Sequence, residues 1–347
     1  MKHPRTPWVC AAVLAVAGAA MGWWAATPRS AEAAARNDAP VLGSRSACEQ
    51  YTGLPSGFGP ESRAGMLRVP TGRFTPGSTR GYADEMPAGP VDVPSFWIDR
   101  TEVTNAQFAA FVAATAYVTD AERAGSGVVF TAPPRGRLVA PNSWWSVVAG
   151  ASWRHPEGPG SDAADHPAAP AVQLSRTDAQ AYARWLGREL PSEAEWEWAA
   201  LGGGDPELVE RSARSGMEPR AADGTPVANY WQGSFPDINT LEDGHAGRAP
   251  VGCFVANGYG LHDLIGNVWE WTRDAYRGQH GDGRSDEPAV TLAVAGAVPG
   301  PDLAVIKGGS FLCAPDHCVR YRVAARHPQE ADLGTSHVGF RTVLRTP

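Results

Sequence analysis

Beyond residue 200 the chain carries no long amphipathic pattern of the kind a surface helix needs. Turn residues, short apolar runs and tryptophans succeed one another there. With 39 Gly, 30 Pro and 13 Trp in 347 residues, this excludes a helix bundle and points to a loop-rich fold held together by indoles. The length suits one large domain or two ordinary ones. No internal repeat or extended low-complexity tract is present.

Regular structure is expected early. From "MLRVPTGRFTPGS" onward, short apolar runs between Gly/Pro turns read as brief strands. "TNAQFAAFVAAT" (104–115) sets Phe108, Phe111 and Val112 on one helical face, with Thr104 as N-cap. A second helix is expected from Ser175, with Asp178 in the capping-box position and Gly187 as terminator. "LPSEAEWEWAA" repeats the device with Ser192 and Glu195, placing Trp196 and Ala199 on one face. In "GNVWEW" the two tryptophans are expected to divide, one of Trp269 and Trp271 inward and the other toward a surface or cleft.

A net charge of −7 argues against nucleic acid as a partner, since phosphate binding needs a basic surface. Lys2, His3 and Arg5 precede an uncharged apolar stretch, residues 8–26, and Ala31-Glu32-Ala33 fits a small-x-small cleavage site. Residues 1–33 therefore read as a signal peptide or a membrane anchor. Residues 34–60 read as a linker and 61–347 as the functional domain. Either reading of the N-terminus exports the rest of the chain to the periplasm, the cell surface or the medium. Membrane contact would come only through an uncleaved N-terminal segment.

Export leaves Cys48, Cys253, Cys313 and Cys318 outside the reducing cytosol, where disulfides are the default. Cys48 and Cys253 could pair. Cys313 and Cys318 lie in "GGSFLCAPDHCVRYRVAAR" (308–326), around a turn-favouring Pro315-Asp316. Three readings compete for them: a structural disulfide, a zinc site, or a soft low-coordinate ion. Zinc wants four ligands, and no second Cys/His pair of suitable spacing is visible. Two thiolates select Cu(I).

The motifs "LPSEAEWEWAA", "NYWQGSFPDINTLEDG" (229–244), "NGYGLHDLIGNVWEWT" (257–272), "KGGSF" and "HVGFRT" occur in an order that resembles the formylglycine-generating enzyme family, the sulfatase-modifying factors. The resemblance covers residues 62–344. It implies a single α+β domain, a complex variant of the C-type lectin fold with little regular secondary structure, acting as a monomer. It also implies an O2-dependent oxidase that converts a cysteine in the Cys-x-Pro-x-Arg motif of nascent sulfatases to Cα-formylglycine.

On that resemblance Cys313 and Cys318 hold Cu(I) and, with Ser310, form the catalytic centre. Trp269 borders it and His317 is a candidate proton donor. Ala314 and His317 depart from the His and Tyr that relatives often carry there. One structural calcium site would use Asn229, Asp243 and the carbonyls of Tyr230 and His245. A second would use Asp263, Glu270 and the carbonyls of Gly266 and Val268. Arg320, Arg322, Arg326 and Arg341 serve internal ion pairs or the client backbone. The competing reading is a non-catalytic, lectin-like binding module of the same fold, with Cys313–Cys318 as a structural disulfide. An iron-dependent sulfoxide synthase is disfavoured by the missing His-rich domain.

Overall fold

Four helices begin on one chemical device. Thr104, Thr119, Ser175 and Ser192 each accept from the N–H three residues on, and Gln107, Glu122, Asp178 and Glu195 reach back to the cap's own N–H. Each box satisfies two N–H groups that the first helical turn leaves without partners. The computed structural model describes residues 1, 42–137, 140, 142–204, 218–278, 280 and 302–345. The chain divides into two units, Met1–Asn37 and Asp38–Pro347, and apart from Met1 the described residues lie in the second.

In chain order the elements are α1 (Arg45–Glu49), β1 (Met66–Val69), β2 (Gly72–Phe74), β3 (Val91–Val93), β4 (Phe96–Asp99), α2 (Asn105–Thr115) and α3 (Asp120–Ala124). Then come β5 (Ser126–Phe130), β6 (Trp145–Ala149), α4 (Arg176–Trp185), α5 (Glu193–Leu201), β7 (Trp269–Ala275), β8 (Leu303–Lys307), β9 (Arg326–Glu330), β10 (Val338–Gly339) and β11 (Val343–Arg345). The largest sheet has the order β10-β7-β8-β9, with β10 parallel to β7 and the other pairs antiparallel. A second sheet has the order β1-β4-β11, and β2-β3 and β5-β6 form two-stranded ribbons. The content is α+β, as expected.

Two apolar clusters hold these elements together. One joins Phe108, Phe111 and Tyr182 of α2 and α4 to Trp269 and Trp271 of β7; the other sets Trp196 of α5 against Phe96, Ile98 and Val343. Between Leu201 and Trp269 no helix or strand is present among the described residues. That stretch, and the 263–270 and 308–313 loops, are fastened by hydrogen bonds instead: Gly266 N–H to the Gly308 carbonyl (3.0 Å) and Phe311 N–H to the Asn267 carbonyl (2.9 Å).

Two expectations are corrected. Trp269 and Trp271 do not divide by alternation, because residues two apart on a strand share a face; both are buried, and Trp269, at the start of the strand, borders a cavity that Trp271 does not line. Glu270, between them, takes the opposite face toward Trp196 and Arg341. Residues 42–60 are not a linker: they carry α1, and Cys48 is disulfide-bonded to Cys253, 205 residues away. Gly43 N–H also donates to the Gly252 carbonyl at 2.8 Å, fastening the strap. The expected targeting segment lies outside the described residues.

Candidate active site

The two thiols meet because of a tight turn. Ala314 N–H donates to the His317 carbonyl (2.7 Å) and His317 N–H to the Ala314 carbonyl (3.1 Å), closing the chain over Pro315-Asp316. Residues flanking such a hydrogen-bonded pair sit directly opposite one another with side chains on one face. Those residues are Cys313 and Cys318, and their sulfurs are 2.9 Å apart. Both are free thiols, Cys313 buried and Cys318 half-buried. Cys318 takes a left-handed φ of +53°, which swings the chain away immediately after the pair. The turn is anchored from outside by Asp316, which accepts from Ser234 Oγ (3.1 Å) and Phe235 N–H (3.2 Å).

The pair is electrostatically unequal. Burial works to raise Cys313, but donation from the Cys318 thiol, backbone hydrogen bonds at Ser310 and Arg320 and the Arg320 charge outweigh it, holding Cys313 below the ordinary thiol range. Cys318 is pushed well above that range by donating to Cys313 and by burial. Ionisation is thus easier at Cys313 than at Cys318, which donates to it.

These sulfurs open into a cavity of about 550 Å3. Ser310, Trp269 and His317 line it too, so all five residues singled out for catalysis are brought together. Ser310 is fully buried and its Oγ accepts from Leu312 N–H (3.3 Å). The His317 ring stacks on Phe235 at 4.2 Å and meets Trp144 edge-on at 5.5 Å. Burial lowers its pKa, so it is a neutral, wall-forming imidazole at pH 7.

Sequence reasoning missed several lining residues: Tyr82, Trp144, Trp145, Phe235, His327, Thr335 and His337. His327 stacks on Trp269 at 5.6 Å, and burial with the Arg320 charge lowers it to about 4. His337 is lowered to about 3 by burial, and its Nδ1 lies 2.7 Å from Thr335 Oγ1. His337 belongs to the quoted "HVGFRT" motif, so its position was a usable signal. Tyr82 and Trp144 carry none, being brought in from distant loops.

Arg320 also lines the cavity, and a distant segment clamps it. Asp84 pairs with it at 3.0 Å, and the Tyr82 ring lies 4.1 Å beneath its guanidinium. The Tyr82 hydroxyl accepts from Val319 N–H at 3.3 Å, and Glu85 pairs with buried Arg322. Arg326 pairs with Glu193 at 2.8 Å and Arg341 with Glu270 at 2.7 Å. Of the four arginines, then, Arg320 is the one that borders the cavity.

Residues expected to bind calcium gather in two knots, the first half-buried at Asp243 and His245, the second buried. In the first, Asp243 accepts from Tyr230 N–H (3.1 Å), His245 N–H (2.9 Å) and the Gln232 carboxamide (2.7 Å). The same Gln232 nitrogen donates to the Tyr230 carbonyl, and buried Asn229 Oδ1 has no partner. In the second, Glu270 is engaged by Arg341 and by Trp196 Nε1 (2.8 Å), and Asp263 accepts from Gly252 N–H. A third carboxylate, Glu102, was missed: its Oε1 accepts from Asn267 Nδ2 (2.9 Å), and it lies close enough to Asp263 for the two to share a proton. Burial raises Asp263 to about 6, and burial with the Asp263 charge raises Glu102 well above the carboxylate range.

Among the described residues a tight His/carboxylate group also forms from Glu193, Glu197 and His280, with ligand atoms within 4.8 Å. Lys307 lies 2.8 Å from Glu197 and Arg326 2.8 Å from Glu193, so two cations already neutralise the two carboxylates. No third His, Cys or carboxylate clusters with the Cys313–Cys318 pair among the described residues.

A family profile described as sulfatase-modifying factor enzyme 1-like domain (FGE-sulfatase) matches residues 53–346. The chain is 43% identical over 298 residues to the formylglycine-generating enzyme of Mycobacterium tuberculosis (strain ATCC 25618 / H37Rv), covering 80% of this chain and 97% of that protein. It is 37% identical over 287 residues to the inactive C-alpha-formylglycine-generating enzyme 2 of Mus musculus, covering 80% and 84% of the two chains. The solved structure of PvdO from Pseudomonas aeruginosa superposes with a TM-score of 0.54 at 24% identity, covering 80% and 93%, a likeness of fold.

Proposed function

We propose, from the premise that this chain belongs to the sulfatase-modifying factor enzyme 1-like family and is an enzyme that generates formylglycine, that it uses Cu(I) and dioxygen on client sulfatases carrying Cys-x-Pro-x-Arg. The observation carrying this reading is the free thiol pair, 2.9 Å apart, at the wall of a cavity large enough for a peptide side chain. A family that includes an inactive member makes that pair, rather than the fold, the argument for chemistry.

The donor set fits copper. Two sulfurs, one held toward the thiolate form and neither joined by a further metal-ligating side chain among the described residues, suit a soft ion of low coordination. Cu(I) held by Cys313 and Cys318 would supply the one-electron and dioxygen chemistry that side chains lack. The chain's own groups do the rest. Trp269, Trp144 and Phe235 exclude water from the client's CH2–SH group, and Arg320 holds negative charge at sulfur. Ser310 Oγ and the neutral His327 and His337 offer hydrogen bonds without added charge. Loss of two electrons and two protons from the client's CH2–SH to dioxygen would leave a thioaldehyde and hydrogen peroxide. Water then replaces sulfur, releasing hydrogen sulfide and the aldehyde.

The test is a peptide containing Leu-Cys-Thr-Pro-Ser-Arg incubated in air with residues 36–347 loaded with Cu(I), read by mass spectrometry. Conversion of the cysteine to an aldehyde is expected. No conversion, with the two thiols reduced and copper bound, would leave the lectin-like binding module as the better account; assignment of this scaffold to the C-type lectin variant is part of the same proposal.

Arg320 is a positioning residue in this scheme, and Asp84 is what aims it. Asp84→Asn is expected to weaken Cu(I) binding about 10- to 100-fold, the usual scale for losing a group that orients a metal site. Competition with a chelating dye measures it, and Asp84→Glu should recover most of the affinity. An unchanged affinity in Asp84→Asn would remove Arg320 from the copper site.

We further propose that calcium occupies the two knots. In the second, three carboxylates face one guanidinium, a charge balance that calls for protons or a cation. Glu102 and Asp263 have folded-state pKa values above their unfolded ones, so without a cation the folded protein binds the extra protons. The stability they contribute is therefore complete below the ordinary carboxylate range and is lost as pH rises through their folded-state values, about 6 for Asp263. In a chelator the Tm should fall between pH 5 and pH 7, and added calcium should raise it more at pH 7, because the ion competes with those protons. A Tm indifferent to calcium at pH 7 would count decisively against both sites.

A further inference from the structure

Strand β6 has no partner on its outer side among the described residues. Its register with β5 shows which of its backbone groups are free. Thr131 N–H donates to the Trp144 carbonyl (2.8 Å) and Gly150 N–H to the Gly125 carbonyl (2.9 Å), so odd-numbered β5 residues carry the bonds to β6. Even-numbered β5 residues face elsewhere: the Val128 carbonyl accepts from Ser336 N–H (3.0 Å), and Phe130 N–H donates to Ser336 Oγ (3.1 Å). Val147 lies opposite Val128, so its own N–H and carbonyl point outward, away from β5. The residue is 75% exposed.

Strand β9, at the edge of the four-stranded sheet and also bordering the cavity, is closed to such pairing. On β9 the Arg326 carbonyl accepts from Arg320, the Glu330 carbonyl accepts from Leu333 N–H (3.1 Å), and Pro328 has no N–H. An edge blunted in this way resists strand addition, whereas β6 is left open.

We propose that the client polypeptide docks by adding a strand to the outer edge of β6, pairing its main chain with Val147 while its cysteine enters the cavity. This rests on the reading of the chain as a formylglycine-generating oxidase. The edge and the cavity are continuous, since Trp144 and Trp145 line the cavity and Trp145 begins the strand. Val147 is two residues further, roughly 7 Å along an extended backbone. A client whose cysteine reaches the thiols therefore has a residue close to it in sequence opposite Val147. Backbone pairing is blind to side chains, which suits an enzyme meeting many sulfatases before they fold. Glu330, in the cavity lining and without an ion-pair partner among the described residues, supplies charge opposite to the motif's arginine.

Val147→Pro removes one outward donor without touching the β5–β6 ladder, because prolines are tolerated where the N–H would face solvent. The KM for the Leu-Cys-Thr-Pro-Ser-Arg peptide should rise about tenfold with kcat nearly unchanged, while Val147→Ala, which keeps the backbone, should change neither. Independently of whether the proline variant folds, wild-type enzyme should show the same KM rise on peptides N-methylated at amides in alternate register from the cysteine. Unchanged KM across the whole N-methyl series, or an equal rise in Val147→Ala, would overturn strand addition while leaving the oxidase intact. Absence of turnover by wild-type enzyme would instead overturn the oxidase reading.

Discussion

Replacing either Cys313 or Cys318 by serine is expected to lower aldehyde formation by on the order of 10³-fold or more, the scale seen when a group on which the reaction depends is removed. The two variants should be nearly alike, and the double variant no worse than either, because the sulfurs act as one unit. Stability should change little. Serine is smaller by one row of the periodic table, and the turn that sets residues 313 and 318 side by side is made by backbone bonds between Ala314 and His317. Mass spectrometry of the client peptide reads the first effect and thermal unfolding the second. Residual conversion in Cys318→Ser comparable to wild type would mean that one thiolate suffices, and the paired-ligand reading would fall.

Arg341→Met is expected to be the most destabilising single change in the molecule, at about 3–5 kcal/mol and a Tm lower by roughly 10 °C. Arg341 is fully buried and grips Glu270 through Nε and Nη2, each at 2.7 Å, while Nη2 also reaches the His262 carbonyl at 2.9 Å. Its charge faces Glu102 and Asp263 as well. Methionine fills the volume but leaves these carboxylates without it. Adding Glu270→Gln should restore part of the loss, since the cost comes from an uncompensated charge rather than from a missing attraction. Calcium should also recover more Tm in the variant than in wild type. A loss under about 1 kcal/mol would show that the knot is protonated already and that Arg341 compensates little.

The helices were legible because their causes are local. Thr104, Ser175 and Ser192 cap helices from positions three residues before their partners, and nothing distant is needed to see it. The thiol turn was legible for the same reason: Pro315-Asp316 favours a reversal, and a reversal there sets Cys313 opposite Cys318. The pleat puts Trp269 and Trp271 on one face, as spacing alone dictates, but only the packing around them decides that Trp269 borders the cavity and Trp271 does not. The supposed linker was misread on polarity, which cannot register that Cys48 finds Cys253 across 205 residues.

The sequence by itself determined where helices start, where the chain must turn, and which two sulfurs lie within a turn of each other. Steric and hydrogen-bonding rules acting over three to five residues suffice for that. Only the tertiary structure decided that Tyr82, Asp84 and Glu85 grip the segment after Cys318, that Glu102 joins Asp263 and Glu270, and that β6 is left with an open edge beside the cavity. Those contacts join residues far apart in the chain. Their geometry comes from how the packed clusters around Trp196 and Trp269 dock the loops, and no local pattern encodes it.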